Sequence, residues 1–186
     1  MSDYFASVSQ IISELSEQAD FQRFNLALKA CLCDQPEAGA CKSIYVAGNG
    51  GSFSSALHIS TDISCLYEKG IIATPSLVLA SQAQITRTAN DYGYEHIFSR
   101  DLQASSHSIK AVFALSVSGN SANIVNLLSC ARDLRIPTFS LLGFNGAGQA
   151  KRHSDYSVSV DSTNFRIVED VHMLIVSSLL YSIANN

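Results

Sequence analysis

Two stretches of the chain share one layout. IYVAGNGGSFSSALHI (residues 44–59) and VFALSVSGNSANIVNL (residues 112–127) each pass from an apolar strand through a loop of small polar residues into a helix. Strands that are apolar almost throughout, alternating with helices, call for a parallel sheet covered on both faces. The flanking sequence continues the pattern. Ile11, Ile12 and Leu15, then Phe24, Leu26 and Leu28, recur at helical spacing and predict helices over 3–19 and 21–33, broken near Asp20. CDQPEAGACK is a turn-rich connector. Further strands are expected at PSLVLA, KAVFALS, PTFSLLG and YSVSV. Helices are expected at QAQITRTAN, YEHIFSRDLQAS, SANIVNLLSCARDL and GAGQAKRH, with a long final one from Phe165 to about Ala184. No low-complexity tract or long linker divides the chain.

In parallel α/β sheets, ligands sit beyond the carboxyl ends of the strands, where both small polar loops fall. Each loop opens a helix, and a helix N-terminus offers unpaired N–H groups and about half a positive charge. Ser116-Val117-Ser118-Gly119-Asn120-Ser121 can therefore wrap a phosphate with hydroxyls and backbone N–H groups alone. Other phosphate and hydrolase signatures fail. Gly48-Asn49-Gly50-Gly51-Ser52-Phe53 has Phe53 where a dinucleotide fingerprint needs its third glycine, and no Gly-Lys-Ser/Thr follows either loop. Gly-x-Ser-x-Gly is absent too, so no hydrolase nucleophile elbow is present.

Charge narrows the partners. Only 15% of residues are charged, against about 25% in typical soluble domains. So sparse a solvated shell suggests that copies of the chain cover part of one another. A formal charge of −4 with no basic run disfavours direct nucleic-acid binding. Cys31, Cys33, Cys41, Cys65 and Cys130 follow no metal-site spacing and read as reduced thiols of a cytoplasmic protein. No signal peptide is expected from MSDYFASVSQ, and the apolar run Met173–Ile183 is too short and serine-broken to span a bilayer.

AGNGGS, ANDYGYEHIFSR, SVSGNSANIV and RIVEDVHMLI occur in the order and at the separations that resemble the sugar isomerase (SIS) domain family, phosphoheptose isomerase type. The resemblance covers nearly the whole chain. It implies a three-layer α-β-α sandwich with a five-stranded parallel sheet, assembled as a homotetramer. Residues 1–186 would be a single SIS domain: N-terminal helices in 1–40 that pack in the oligomer, then a sheet core and final helix in 41–186. The ligand implied is a phosphorylated sugar. Ser116, Ser118 and Ser121 would grip the phosphate, with Val117 (a threonine in the family) and Asn120 completing the loop. Asn49, Gly50, Gly51 and Ser52 would meet the sugar, and Asp91 one of its hydroxyls.

The resemblance also implies which groups move protons. Ketose–aldose isomerisation shifts a proton between adjacent carbons through an enediol and needs positioned acid–base groups. The family's four polar groups, which hold zinc in some members, fall at His58, Asp62 (a Glu there), Glu169 (a Gln) and Ser177 (a His). Leu66 stands where the family has Arg. His58, Asp62 and Glu169 are thus the candidate catalytic residues, with two uses open: a three-ligand zinc site, or a metal-free pair of carboxylates. His172 reads as a core histidine. The implied activity is isomerisation of sedoheptulose 7-phosphate or a related sugar phosphate, for surface polysaccharide. Ser177 and Leu66 keep two other uses open: a non-catalytic scaffold of the replication-initiator-binding kind, and a phosphosugar sensor.

Overall fold

A computed structural model describes residues 2–35, 42–78 and 81–185. Its elements run α1 (Ser2–Ser16), α2 (Ala19–Cys33), β1 (Ser43–Gly48), α3 (Gly51–Glu68), β2 (Ser76–Val78), α4 (Gln82–Tyr92), α5 (Ile97–Ser105), β3 (Ile109–Ser116), α6 (Ala122–Asp133), β4 (Thr138–Leu142), β5 (Tyr156–Ser159) and α7 (Phe165–Ala184). All the strands are parallel, in the order β2-β1-β3-β4-β5. Every residue of β4, and all but Lys110 of β3, is buried. That is why these strands read as continuous apolar runs rather than alternating ones.

Helices cover both faces, as the three-layer sandwich requires. On one face lie α2, α3 and α7, with Phe24, Leu28, Ile59, Ile63, Val171 and Ile175 in a single core cluster. Phe24 is fully buried and rings with both Phe113 and Phe139 at just under 6 Å. The other face carries α5 and α6 through Phe98, Leu102, Ile124, Leu127 and Leu128. Tyr4 of α1 hydrogen-bonds Asp170 of α7. By length and composition α7 could cross a membrane, contrary to the shorter span read from sequence. Its Val168, Val171, Ile175, Val176 and Leu179 are buried on the sheet, which makes it a core helix here.

The predicted elements are nearly all present, with local shifts. The first break comes at Gln18 rather than Asp20, and Asp20 lies in the first turn of α2, where a carboxylate suits the helix dipole. Of PSLVLA, Ser76–Val78 is strand; Leu79, Ala80 and Cys41 lie outside the described residues. GAGQAKRH is not one helix but part of two 3-10 turns, Phe144–Gly146 and Gln149–His153. Asn145 and Gly146 there have positive φ, which stops α-helical propagation.

α6 ends in a Schellman turn. Ile136 N–H donates to Ala131 O at 2.8 Å and Arg135 N–H to Arg132 O at 2.9 Å. The left-handed position of that turn, usually glycine, is Arg135 at φ 57°. A side chain there costs roughly 1 kcal/mol.

Candidate functional site

The strand order places the site. β1 and β3 are neighbours, and their connections leave toward opposite sides, so a crevice opens beyond their carboxyl ends. Both small polar loops line it. Asn49, Ser52, Ser116, Ser118, Ser121 and Glu169 surround a pocket of about 90 Å³, with Phe165 at its rim. The two loops predicted to act together are brought together. Among the described residues, no lysine or arginine lines this cradle.

The second loop is organised as a donor surface. Gly119 N–H donates to Ser116 Oγ at 3.1 Å and Asn120 N–H to Ser118 Oγ at 3.2 Å. Each hydroxyl is thus occupied as an acceptor and keeps its proton to donate. Ser121 occupies the N-cap position of α6 but makes no side-chain cap bond. Its hydroxyl is available, as are the first N–H groups of α6, which no helix can pair internally. Gly119 adopts φ 64°, and Gly148 packs on it so closely that a Cβ on Gly148 would come within 2.4 Å of the Gly119 carbonyl carbon. Ala150 N–H to Gly119 O, 2.9 Å, and Gln149 N–H to Asn120 Oδ1, 3.0 Å, complete the brace. Val117 O accepts from Gly143 N–H at 3.0 Å, turning that carbonyl toward β4. Val117 is buried and supplies no polar side-chain atom.

Around the first loop, Gly51 opens α3 with Glu169 resting on it. A Cβ at Gly51 would lie 2.5 Å from both carboxylate oxygens, so only glycine leaves Glu169 room. The N-terminus of α3 thus faces a negative group, Glu169, while that of α6 faces the open cradle. Gly50, at φ 53°, is exposed, and a Cβ there would meet nothing within 4 Å.

Asn49 is held in a network that sequence reasoning missed. Its amide exchanges two hydrogen bonds with Asn123, Nδ2 to Oδ1 at 2.9 Å and the reverse at 2.8 Å. Tyr94 donates its hydroxyl to Asn49 Oδ1 at 3.0 Å. The Asn49 carbonyl is therefore saturated, and the group it can still offer is one N–H. Asn123 is itself buried, and its Oδ1 also takes the Ile124 N–H at 3.0 Å. The signal was the last Asn of the second motif's SGNSAN and the second Tyr of ANDYGY. Neither gains meaning until β1 and β3 are adjacent.

The other candidates fall elsewhere. Asp91 is exposed at the end of α4, accepts a hydrogen bond from Asn90 at 2.9 Å, and does not line the cradle. His58 and Asp62 pair at 3.5 Å on the outer side of α3, their side chains 65% and 44% exposed. Asp62 instead borders a second groove with Leu66 and Ser177. In this chain His58 and Asp62 lie apart from Glu169. Glu169 sits over the first residue of α3, whereas His58 comes two turns later, about 10 Å along the axis. Among the described residues, no three His, Cys, Asp or Glu side chains gather closely enough to hold a metal. The paired-carboxylate reading is divided in the same way, since Asp62 and Glu169 face different cavities.

His172 is the core histidine expected. It is 1% exposed, and neither ring nitrogen makes a hydrogen bond. Burial pushes its pKa down to about 4, weakly opposed by the nearby Leu142 main chain. Because the folded form holds its proton less tightly than the unfolded form, stability is complete above the ordinary histidine pKa, near 6.5. It falls as pH drops from there toward 4, by about 3 kcal/mol. His172→Leu should flatten that acid limb in urea unfolding followed across pH, while costing little near pH 7. An unchanged limb would place the acid sensitivity in other groups.

A serine-lined cradle at the switch point of a 2-1-3-4-5 sheet, built from two paired loops, defines a phosphosugar-binding SIS domain. The SIS domain family model matches residues 3–143, and the chain belongs to that family. Within it the chain is phosphoheptose isomerase-like. It is 37% identical over 133 residues to the phosphoheptose isomerase of Aneurinibacillus thermoaerophilus, covering 71% of this chain and 67% of that one. To the phosphoheptose isomerase of Buchnera aphidicola it is 29% identical over 177 residues, 95% of this chain and 90% of the relative. The structure of a phosphoheptose isomerase from Francisella tularensis superposes with a TM-score of 0.80 at 27% identity, covering 100% of this chain and 96% of that one.

Proposed function

We propose that this protein is a ketose–aldose isomerase acting on a sugar phosphate, with sedoheptulose 7-phosphate the first candidate. The observation that carries the reading is Glu169, a carboxylate lining the same small cavity as three serines able to anchor a phosphate. With the phosphate at the N-terminus of α6, the sugar's other end extends toward the N-terminus of α3. There Glu169 takes a proton from the hydroxyl-bearing carbon beside the carbonyl and returns it to the former carbonyl carbon, while through the enediol the hydroxyl proton passes from the first oxygen to the second. The oxygen that gains charge in the enediol is met by the Ser52 hydroxyl and the first N–H groups of α3, which have no acceptor within the helix. Asn49 gives its remaining N–H to a sugar oxygen. Relatives along most of the chain are isomerases, which favours the enzyme over a scaffold stripped of chemistry.

The assembly we infer is a homotetramer. Phe5 on α1, Leu57 on α3, and Leu174 and Tyr181 on α7 are exposed large apolar residues, between 44% and 72% accessible. Such a surface suits contact between copies, and it would bury the His58–Asp62 pair beside Leu57. The four cysteines among the described residues are free thiols, Cys31 pushed up to about 11 by burial, which suits a reducing cytoplasm. The product would feed heptose into surface polysaccharide.

The test is proton exchange. Incubated in D₂O with sedoheptulose 7-phosphate, with and without added zinc, the protein should place deuterium at the carbon beside the carbonyl and form the aldose. No exchange with any of several six- and seven-carbon ketose phosphates would overturn the isomerase. Exchange that appears only with zinc would return the metal to the mechanism.

Asn123 is expected to act through Asn49. Asn123→Ala frees the Asn49 amide to rotate: its Nδ2 loses its acceptor, and Tyr94 alone still holds its Oδ1. KM for the sugar phosphate should rise about tenfold, with kcat falling less. A change in kcat alone would place Asn123 in the chemistry instead.

A further inference from the structure

A cavity of about 460 Å³ lies at the other end of the sheet, where β4 and β5 begin. Arg23, Arg132 and Arg135 line it together with Asp155 and Tyr156. Three of the chain's 12 basic side chains thus meet at one place in a protein of net charge −4. Among the described residues none of the three makes an ion pair. The local carboxylate is engaged elsewhere: Asp155 Oδ2 accepts from both Thr138 N–H, 2.9 Å, and Thr138 Oγ1, 2.8 Å.

Two of the guanidinium groups are held by separate devices, and the third arginine is placed by its backbone. Arg23 lies over the Tyr156 ring, 5.2 Å from its centroid, and the ring stacks on Phe139. Arg132 donates to the Arg152 carbonyl at 2.9 Å. Arg135 occupies the left-handed position that closes α6, where glycine would sit without strain. Strain of this kind at a functional position persists when the side chain serves something beyond the fold.

We propose that this cavity is a second anion site, for a ligand carrying two or more adjacent phosphoryl groups. One phosphate would leave most of the cavity empty and one guanidinium unused. Neighbouring phosphoryl groups match three planar forks, each able to hold two oxygens. The site does not depend on the serine cradle at the opposite sheet end, and its ligand does not compete with a sugar phosphate.

The probe is inorganic tripolyphosphate, followed by calorimetry and by thermal unfolding of the full chain. At about one hundred times Kd it should raise Tm by roughly 5–10 °C. The same binding should persist in Ser118→Ala/Ser121→Ala, whose cradle is impaired. Arg135→Gly is the decisive variant. Relief of the left-handed strain should raise the Tm of the unliganded protein, while tripolyphosphate affinity falls at least about tenfold. Arg132→Lys/Arg135→Lys keeps the charge, loses the forks and should bind at an intermediate level. Tripolyphosphate binding that survives Arg135→Gly undiminished, or is lost in the serine variant, overturns the proposal. So does equally tight binding of a poly-glutamate peptide, which would make the cavity a docking place for acidic protein segments.

Discussion

Glu169→Gln is expected to lower kcat for the sugar phosphate about 10³-fold and to abolish proton exchange in D₂O to the same degree. The substitution keeps the side chain's size and its seat over Gly51, and it removes the base. Affinity for the sugar phosphate should stay within about threefold, because the phosphate is held by α6 and not by α7. Amide replacement also removes a negative charge from a cavity that must accept an anion, so a small gain in affinity accompanies the loss of rate. The companion variant is Asp62→Asn. Asp62 borders a different groove, beside Leu66 and Ser177, and its loss should cost much less than that of Glu169. The two outcomes together discriminate. If Asp62→Asn costs as much as Glu169→Gln, the chemistry lies on the outer side of α3, within reach of a neighbouring copy. If neither matters to exchange, the proton is moved by another group, and the assignment of Glu169 as the base falls.

The strands and the two loops were legible because their physics is local. A doubly covered strand must be apolar along its length, as Ile44–Ala47 and Ala111–Leu115 are. A loop that bends sharply into a helix and meets an anion needs small residues, as Gly51 and Ser116 to Ser121 show. The direction of the His58–Asp62 pair was also within reach. Ser52, Ala56, Ile59 and Ile63 form the buried stripe of α3, and residues 58 and 62 lie off that stripe. The i,i+4 spacing alone says that two residues share a face; the apolar stripe says which way the face turns. Other parts were not legible because they depend on tertiary adjacency. Asn49 and Asn123 lie 74 positions apart and meet because β1 pairs with β3. The arginine cavity draws on α2, the turn after α6 and the start of β5, and no window of sequence contains them together. Ser121 looks like an ordinary N-cap in sequence, and the hydroxyl's freedom is visible only in the geometry.

That freedom makes the serines a clean test of the cradle. Ser118→Ala/Ser121→Ala should weaken sugar-phosphate binding by roughly 10²–10⁴-fold, the loss of two hydrogen bonds to a charged group at about 1.5–3 kcal/mol each. Stability should change little, which is unusual for an N-cap serine, where alanine ordinarily costs about 1 kcal/mol. Here the cap bond is not made by Ser121: the Ile124 N–H goes to Asn123 Oδ1 and to the Ser121 carbonyl, and both survive the change. Ser118 gives up one bond, from the Asn120 N–H, at a position where water can replace it. Thermal unfolding should therefore show a nearly wild-type unliganded protein that a sugar phosphate no longer stabilises. The residual affinity measures what the N–H groups and dipole of α6 hold unaided, together with Ser116. Because no lysine or arginine among the described residues lines the cradle, wild-type affinity should depend only weakly on salt, unlike a site built on ion pairs. A double variant that binds as tightly as wild type, or one whose melting temperature collapses along with its affinity, would remove the phosphate from the N-terminus of α6. The orientation of the sugar, and with it the assignment of Glu169, would then have to be reversed.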